Sequence, residues 1–322
     1  MAVRYLSRAD VMKLAQDMDC EAALRAVLLA EHAGMAGQEV RQEMRAAALN
    51  GVIGLMPSWS AGEDSALAAK TVCVMPGNPA LGLPAHQGIV TLFDGTTGAV
   101  KGLAEAGAVT EIRTAAMAAL ATRTLAASRE GAVSLVVGAG HQTLPHLQAL
   151  ARVPGVTRHL IWARRAEATA PVVHAARVMG LTVEAVVDLP TAAAVADVVT
   201  LVTSAAQPVL RAEWLRPGTH VNAMGSSTHR VREFGPDLLR RAGIFADHIP
   251  SVRALAGEFA DQLDTLPMTA LAAVLAEQGA SPSPAGDITL FKSVGMALQD
   301  LAVLQPLLAL AETRGLGQSI TP

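Results

Sequence analysis

Three cations stand in three separate segments of the chain: Arg41 in EVRQEM, Lys70 in LAAKTV and Arg113 in EIRTAAM. Lys70 lies in an apolar strand-like run, and Arg113 sits early in an alanine-rich helical stretch. A cation in apolar surroundings is costly unless an anion meets it. If the three converge, they form a seat for a small carboxylate. If they do not, they are separate surface charges paired with nearby Glu or Asp. Residue types alone leave both readings open.

A second constellation is GAVSLVVGAGHQTLPHLQALARV, which begins at Gly131. It reads as a strand, a turn through Gly138-Ala139-Gly140, and a helix. Glycines there let the backbone turn tightly and approach a pyrophosphate, and the helix N-terminus adds N–H groups and a positive dipole end. The dinucleotide fingerprint has a third glycine three residues on, where Thr143 stands, so an ordinary strand–turn–helix is the alternative. The next strand ends in IWARR, which offers Ala163, Arg164 and Arg165 where an NAD-preferring site has an acid. Guanidinium groups there suit the 2′-phosphate of NADPH; alternatively they begin a solvated helix face.

Other polar residues carry less. His86, His141 and His220 have no metal-ligand spacing, so no metal is expected. His141 lies in the glycine turn, either against a pyrophosphate or as a helix cap. Asp94 in LFDGTTG reads as a turn residue, and Asp247 closes the GIFADH strand in either a structural or a cofactor-edge role.

The elements that must position these residues change rhythm near residue 128. Before it, VIGLMPSW, LAAKTVCVM and GIVTLFD read as strands of one sheet, separated by PGNPALGLP and DGTTG. TEIRTAAMAALATRTLAA then reads as a long helix. From Gly131 onward strands and helices alternate, which predicts a doubly wound parallel sheet of Rossmann type beside a separate α/β domain. The tail TLFKSVGMALQDLAVLQPLLALAETRG reads as an apolar helix.

Composition narrows the function classes. The 322 residues are 51% hydrophobic and 3% aromatic, which suits buried parallel strands under small-residue helices. The formal charge of −3, without a long basic run, speaks against a nucleic-acid partner. Cys20 and Cys73 cannot build a disulfide framework. No targeting or membrane segment is read, so a cytoplasmic protein is expected.

Several stretches, in order, resemble the ornithine cyclodeaminase/mu-crystallin family: RQEMRAAALNGVIGLMPSW, LPAHQGIVTLFDGTTGAVKGLAEAGAVTEIRTAAMAALATRTLA, VVGAGHQTLPHL, ADVVTLVTSAAQPVLRAEWLRPGTHVNAMGS and LFKSVGMALQDLA. In that family a small residue commonly replaces the third glycine, with Gln142 its usual companion. The resemblance implies a substrate-binding and dimerisation domain of residues 1–118 with 295–322, and a dinucleotide domain of residues 119–294. It implies a homodimer, a cleft between the domains, and a C-terminal helix that returns to the first domain. Arg41, Lys70 and Arg113 match the cations that hold the substrate carboxylate. The expected cofactor-binding set is Thr114, Gly138, Gly140, His141, Gln142, Arg164, Arg165, Thr203, Ser204 and Met224, with NADPH preferred and NADH possible.

One position separates activities within the resemblance. Ornithine cyclodeaminases carry an aspartate shortly after the NAxG turn, whereas this chain reads HVNAMGSSTHRVREF, with Ser227 there and Ser226 before it. Serine cannot act as that base at neutral pH. The expectation is therefore NAD(P)H-dependent reduction of a cyclic ketimine carboxylate to a cyclic amino acid, with Lys70 and Ser227 as catalytic candidates. An ornithine cyclodeaminase, an amino-acid dehydrogenase and a non-catalytic NADPH-binding protein are the alternatives. Glu233 is the nearby acid that could replace the missing aspartate.

Overall fold

Strand alternation and one long helix build the sheet that carries Lys70. The computed structural model describes residues 3–127, 129–260, 266–277 and 287–321. Two compact units divide the chain, Met1–Arg113 with Met296–Pro322 and Thr114–Gly295. The first unit opens with β1 (Val3–Leu6), α1 (Arg8–Leu14) and α2 (Cys20–His32). Ser7 and Asp10 form a reciprocal capping box at α1, and Asp19 caps α2 through Ala22 N, so both helices start where the side chains satisfy free N–H groups. There follow β2 (Ala36–Gln38), β3 (Gln42–Ala46), β4 (Gly51–Ser60), β5 (Ala66–Val74), β6 (His86–Asp94) and β7 (Val100–Glu105). Helix α3 (Ala106–Leu125) carries the division between Arg113 and Thr114.

The second unit continues with β8 (Ala132–Val137), α4 (Thr143–Leu150), β9 (Val156–Trp162), α5 (Thr169–Val178), β10 (Val183–Ala185) and α6 (Leu189–Val195). Then come β11 (Val198–Leu201), β12 (His220–Ala223), α7 (Pro236–Arg241), β13 (Ala242–Ala246) and α8 (Ile249–Leu255). After β14 (Thr269–Ala270), α9 (Leu271–Ala276) and β15 (Ile288–Lys292), the chain rejoins the first unit through α10 (Ala297–Arg314) and β16 (Gln318–Ile320).

The first sheet runs β16-β1-β7-β6-β5-β4-β2, with β3 also on β4, and only the β1–β7 pair is parallel. Its inner face packs against α10, whose Leu298, Leu301, Leu304 and Leu307 are buried. Each such leucine contributes about 1.5–3 kcal/mol by leaving water. The outer face is also apolar. Leu55, Trp59, Leu67 and Ile89 are exposed there, and register aligns Trp59 with Leu67 and Phe93, and Leu55 with Thr71 and Ile89.

The second sheet is parallel throughout, in the order β10-β9-β8-β11-β12-β15-β13-β14. Chain order reverses about β8, which places a topological switch point at its C-terminal end, the expected doubly wound arrangement. Strands β11, β12 and β15 are buried along their whole length. Polar groups within this core are mutually satisfied. His220 Nδ1 meets Thr289 Oγ1 at 2.8 Å, and its Nε2 meets Asn222 Oδ1 at 3.0 Å. Asn222 Nδ2 donates in turn to Thr122 Oγ1 at 2.9 Å. Burial lowers the His220 imidazole to about 4, so it is neutral at neutral pH.

Two element readings are corrected. TLFK is strand β15, not the start of the tail helix, because its residues pair with β12 and β13 and only from Ala297 does the chain coil. Helix α3 begins at Ala106, so Arg113 sits in its third turn rather than early in it. The short strands β1 and β16 have no strong apolar alternation and are held by pairing, β16 with β1 and β1 also with β7.

Candidate active site

Lys70 is placed in the core by strand alternation. Ala66, Ala68 and Lys70 face inward on β5, and register sets Lys70 beside Met56 and Val90, both buried. An ammonium there needs a counterion. Helix α10 supplies it: Lys70 Nζ lies 2.7 Å from Asp300 Oδ2, with Asp300 1% exposed. Arg113 joins the pair, its Nε 3.3 Å from Asp300 Oδ1 and its Nη1 donating to Gln299 Oε1 at 2.9 Å. The Arg113 Nε contact lacks the alignment of a hydrogen bond, so this buried donor has no acceptor among the described residues. Arg41 is half-buried over Gly54 and pairs with Glu43 at 3.0 Å.

The three cations therefore share one electrostatic environment within the first unit. Burial pushes Lys70 down to about 8; Asp300 opposes this, while Arg113 and Arg41 push further down. Burial also lowers Arg41 against the pull of Glu43, with Arg113 acting in the same direction. The paired-charge reading and the convergent reading both hold in part. Among the described residues Lys70 and Arg113 share one carboxylate, Asp300, while Glu43 is shared by Arg41 and Arg45. The Lys70–Arg113 pair thus exceeds its carboxylate by one positive charge, and Arg113 Nε has no acceptor.

In the second unit, the turn after β8 has the shape that a pyrophosphate requires. Gly138 has φ +133, and a Cβ there would meet Val202 O at 2.8 Å, so only glycine fits. A Cβ on Gly140 would meet nothing within 4 Å, which leaves open space over the turn. Thr143, in place of the third glycine, is fully buried in the first turn of α4. Thr114 Oγ1, Gln142 Oε1 and Thr143 Oγ1 are among the buried side-chain atoms of this unit that have no hydrogen-bond partner among the described residues. Native interiors rarely leave such groups unmet, and a dinucleotide would meet them. His141 is exposed and is not a cap, since Gln142 holds the N-cap position of α4 without a side-chain bond. Arg164 and Arg165 are exposed just past β9, and neither makes an ion pair among the described residues.

The remaining candidates gather at the ends of β11 and β12. Thr203 and Ser204 follow β11, and Met224 to Ser227 follow β12. Met224 and Ser226 are buried, Thr203 and Ser227 are half-buried, and Ser204 is exposed. Ser226 Oγ is taken up internally, 2.7 Å from Val231 O and 2.9 Å from Glu258 Oε2. Glu233 is fully buried and its oxygens are occupied. Oε1 accepts from Thr203 N and Oγ1 at 2.7 and 2.9 Å, and Oε2 accepts from Gly225 N and Ser226 N at 2.8 and 3.2 Å. With four donors in place it has no lone pair left for a substrate amine, so it does not replace the missing aspartate.

Asp94 and Asp247 are structural. Asp94 Oδ1 accepts from Thr96 N, Thr97 N and Thr97 Oγ1, which forms the expected turn. Asp247 Oδ2 accepts from Ser293 Oγ at 2.6 Å and Gly295 N at 3.2 Å, fixing the bend after β15. Asp300 was not singled out by its type or spacing. Its signal lay in the tail helix, where one acid stands among apolar residues that pack on the Lys70 face.

Comparison with known proteins agrees with this geometry. The family model of the ornithine cyclodeaminase/mu-crystallin family matches residues 2–311. Ketimine reductase mu-crystallin of Mus musculus is 35% identical over 270 residues, 82% of each chain. The structure of Thermococcus litoralis Δ1-pyrroline-2-carboxylate reductase in complex with NADH and L-proline superposes with a TM-score of 0.90 at 26% identity, covering 99% of this chain and 100% of that one. The iminosuccinate reductase of Paracoccus denitrificans in complex with NAD+ gives 0.90 at 28% identity, covering 100% of both chains. The chain belongs to the ornithine cyclodeaminase/mu-crystallin family.

Proposed function

We propose that the protein is an NAD(P)H-dependent imine reductase whose substrate is a cyclic ketimine monocarboxylate, Δ1-pyrroline-2-carboxylate or Δ1-piperideine-2-carboxylate, reduced to proline or pipecolate. The observation that carries this reading is the buried Lys70–Arg113 pair, two cations that share the single carboxylate of Asp300 among the described residues, with Arg41 acting on the same environment. A monocarboxylate balances the second of those charges and gives Arg113 Nε its acceptor. The first unit would hold the substrate and the second the dinucleotide.

The chemistry needed is small. Bound reduced nicotinamide supplies a hydride to the imine carbon. Arg41, Lys70 and Arg113 anchor the carboxylate and so fix the C=N bond in place. The Lys70 ammonium, at about 8, is charged at neutral pH yet acidic enough to give a proton to the ring nitrogen. Ser227, half-buried at the end of β12, orients that nitrogen through its hydroxyl. Ring closure with loss of ammonia demands a carboxylate to manage several protons. Serine at 227 and the saturated oxygens of Glu233 leave that role unfilled.

Arg164 and Arg165, without an acid at the end of β9, favour NADPH over NADH. The apolar outer face of the first sheet favours a homodimer, since monomers seldom expose so continuous an apolar surface. Cys20 and Cys73, neither of them in a disulfide, and dependence on a reduced cofactor suit the cytoplasm.

The test is oxidation of NADPH over a panel of the two cyclic ketimines, iminosuccinate, 2-oxo acids with ammonia, and ornithine. Turnover of a cyclic ketimine with no ammonia from ornithine is expected. Preferred turnover of iminosuccinate or of oxo acids with ammonia would replace the substrate. Ammonia release from ornithine at comparable rates, or cofactor binding without any turnover, would overturn the reading.

A further inference from the structure

The ends of β11 and β12 are held together by a buried charge cluster that the chemistry above does not use. Glu233 spans two loops. One oxygen takes both donors of Thr203, after β11, and the other takes Gly225 N and Ser226 N, after β12. Gly225 is glycine because a Cβ there would strike Thr203 O, Thr203 N and Glu233 Oε1, so the loops sit at the closest approach that a carboxylate can bridge. A second layer fixes Glu233 itself. Glu258 Oε1 accepts from Glu233 N at 3.0 Å, and Glu258 Oε2 lies 3.6 Å from Lys292 Nζ, with both of these side chains fully buried. Lys292 Nζ donates to Ser226 O at 2.7 Å, which ties the end of β15 to the same loop.

The position of the clamp on the sheet gives it a role. A dinucleotide lies across the switch point at β8, with its pyrophosphate on the glycine turn and its adenosine ribose at the end of β9. Its other half must then extend toward the ends of β11 and β12, on the opposite side of β8. Those are the loops that Glu233 joins. We propose that Glu233, backed by Glu258 and Lys292, is a positioning residue that fixes the nicotinamide end of the dinucleotide and sets Ser227 in place, while taking no part in holding the adenosine end. The proposal rests on the dinucleotide reading above.

Glu233→Gln isolates this role, because an amide keeps the shape but turns one acceptor into a donor. Its NH2 group then faces either the Thr203 or the Gly225–Ser226 donors, and one loop is released. Binding of NADPH and of ADP-ribose 2′-phosphate, which lacks nicotinamide, is measured by calorimetry on wild type and variant. The expected result is unchanged ADP-ribose phosphate affinity, NADPH affinity weakened at least fivefold, and kcat reduced at least tenfold. A general loss of structure would weaken both ligands alike, and that outcome overturns the proposal, as does unaltered binding of both. If Glu233→Gln does not fold, Glu233→Asp, which keeps the charge but cannot reach both loops, must show the same split. Failure of the wild type to bind either ligand would instead sink the dinucleotide reading.

Discussion

Replacing Asp300 with asparagine tests the charge balance around Lys70. The carboxylate is buried, 2.7 Å from Lys70 Nζ and 3.3 Å from Arg113 Nε. An opposite charge at this range moves a pKa by about 1–3 units, equivalent to about 1.4–4 kcal/mol. Lys70, already lowered to about 8 by burial, should then fall to roughly 5–7 in Asp300→Asn. The variant should lose about 3 kcal/mol of stability at neutral pH, the usual cost of leaving a buried charge without its partner. The direction with pH follows from proton counting. Above the folded pKa of Lys70 the unfolded chain holds a proton that the folded one has released, so stability rises with pH until the unfolded value near 10.4. That rise should start near pH 8 in the wild type and at roughly 5–7 in the variant. Activity moves oppositely, since anchoring and proton donation both need the ammonium. The alkaline limb of kcat/KM, which reports the free enzyme, should shift down by about 1–3 units. Titration of the imine is common to both proteins and cancels in the comparison. An alkaline limb at the wild-type pH, in a variant that is folded, would refute the assignment of Asp300 as the counterion that keeps Lys70 charged.

Arg164→Ala with Arg165→Ala should weaken NADPH binding roughly 10- to 100-fold, the value of one charged phosphate contact of about 1.5–3 kcal/mol, and leave NADH unchanged. Calorimetry that finds wild-type NADH binding equal to or tighter than NADPH binding would end the argument. Leu67→Lys with Ile89→Lys places charge on the apolar outer face of the first sheet and should convert a dimer into monomers in sedimentation experiments. A wild-type monomer, or a double variant that still dimerises, would remove that face as the interface.

Legibility in the sequence followed the range of the interactions. The alternating half was plain because βαβ units are local, with each strand and its helix adjacent in the chain. The glycine turn was plain because its geometry is set by a few consecutive residues. The edge strand β16 and its neighbour β1 were not, since β16 is defined by a partner more than 300 residues away and β1 pairs only with β16 and the distant β7. Asp300 was missed for the same reason: nothing near it in sequence shows that α10 lies on the Lys70 face. Glu233 reads in the sequence as an acid near Ser227, but its four donors come from two loops whose approach the sequence does not display. Ser226 and Ser227, adjacent and alike in type, separate only in the structure, where the first is consumed by Glu258 and Val231.

Buried charges of the same kinds do opposite work in the two units, and their unmet hydrogen bonds distinguish them. Around Glu233, Glu258 and Lys292 every carboxylate oxygen has a donor or an ammonium, and the result is a fixed backbone at the ends of three adjacent strands. Around Lys70 and Arg113 two cations share one carboxylate among the described residues, and Arg113 Nε has no acceptor. A fully satisfied cluster gains nothing from a ligand, whereas an incomplete one is stabilised by whatever anion completes it. Asp300 is therefore best understood as partial neutralisation. Without it three desolvated cations would repel one another in the absence of substrate, and with a second carboxylate beside it the attraction for substrate would vanish. Under the proposed function, one acid for the Lys70–Arg113 pair offsets part of its charge when the unit is empty and leaves place for a single substrate carboxylate.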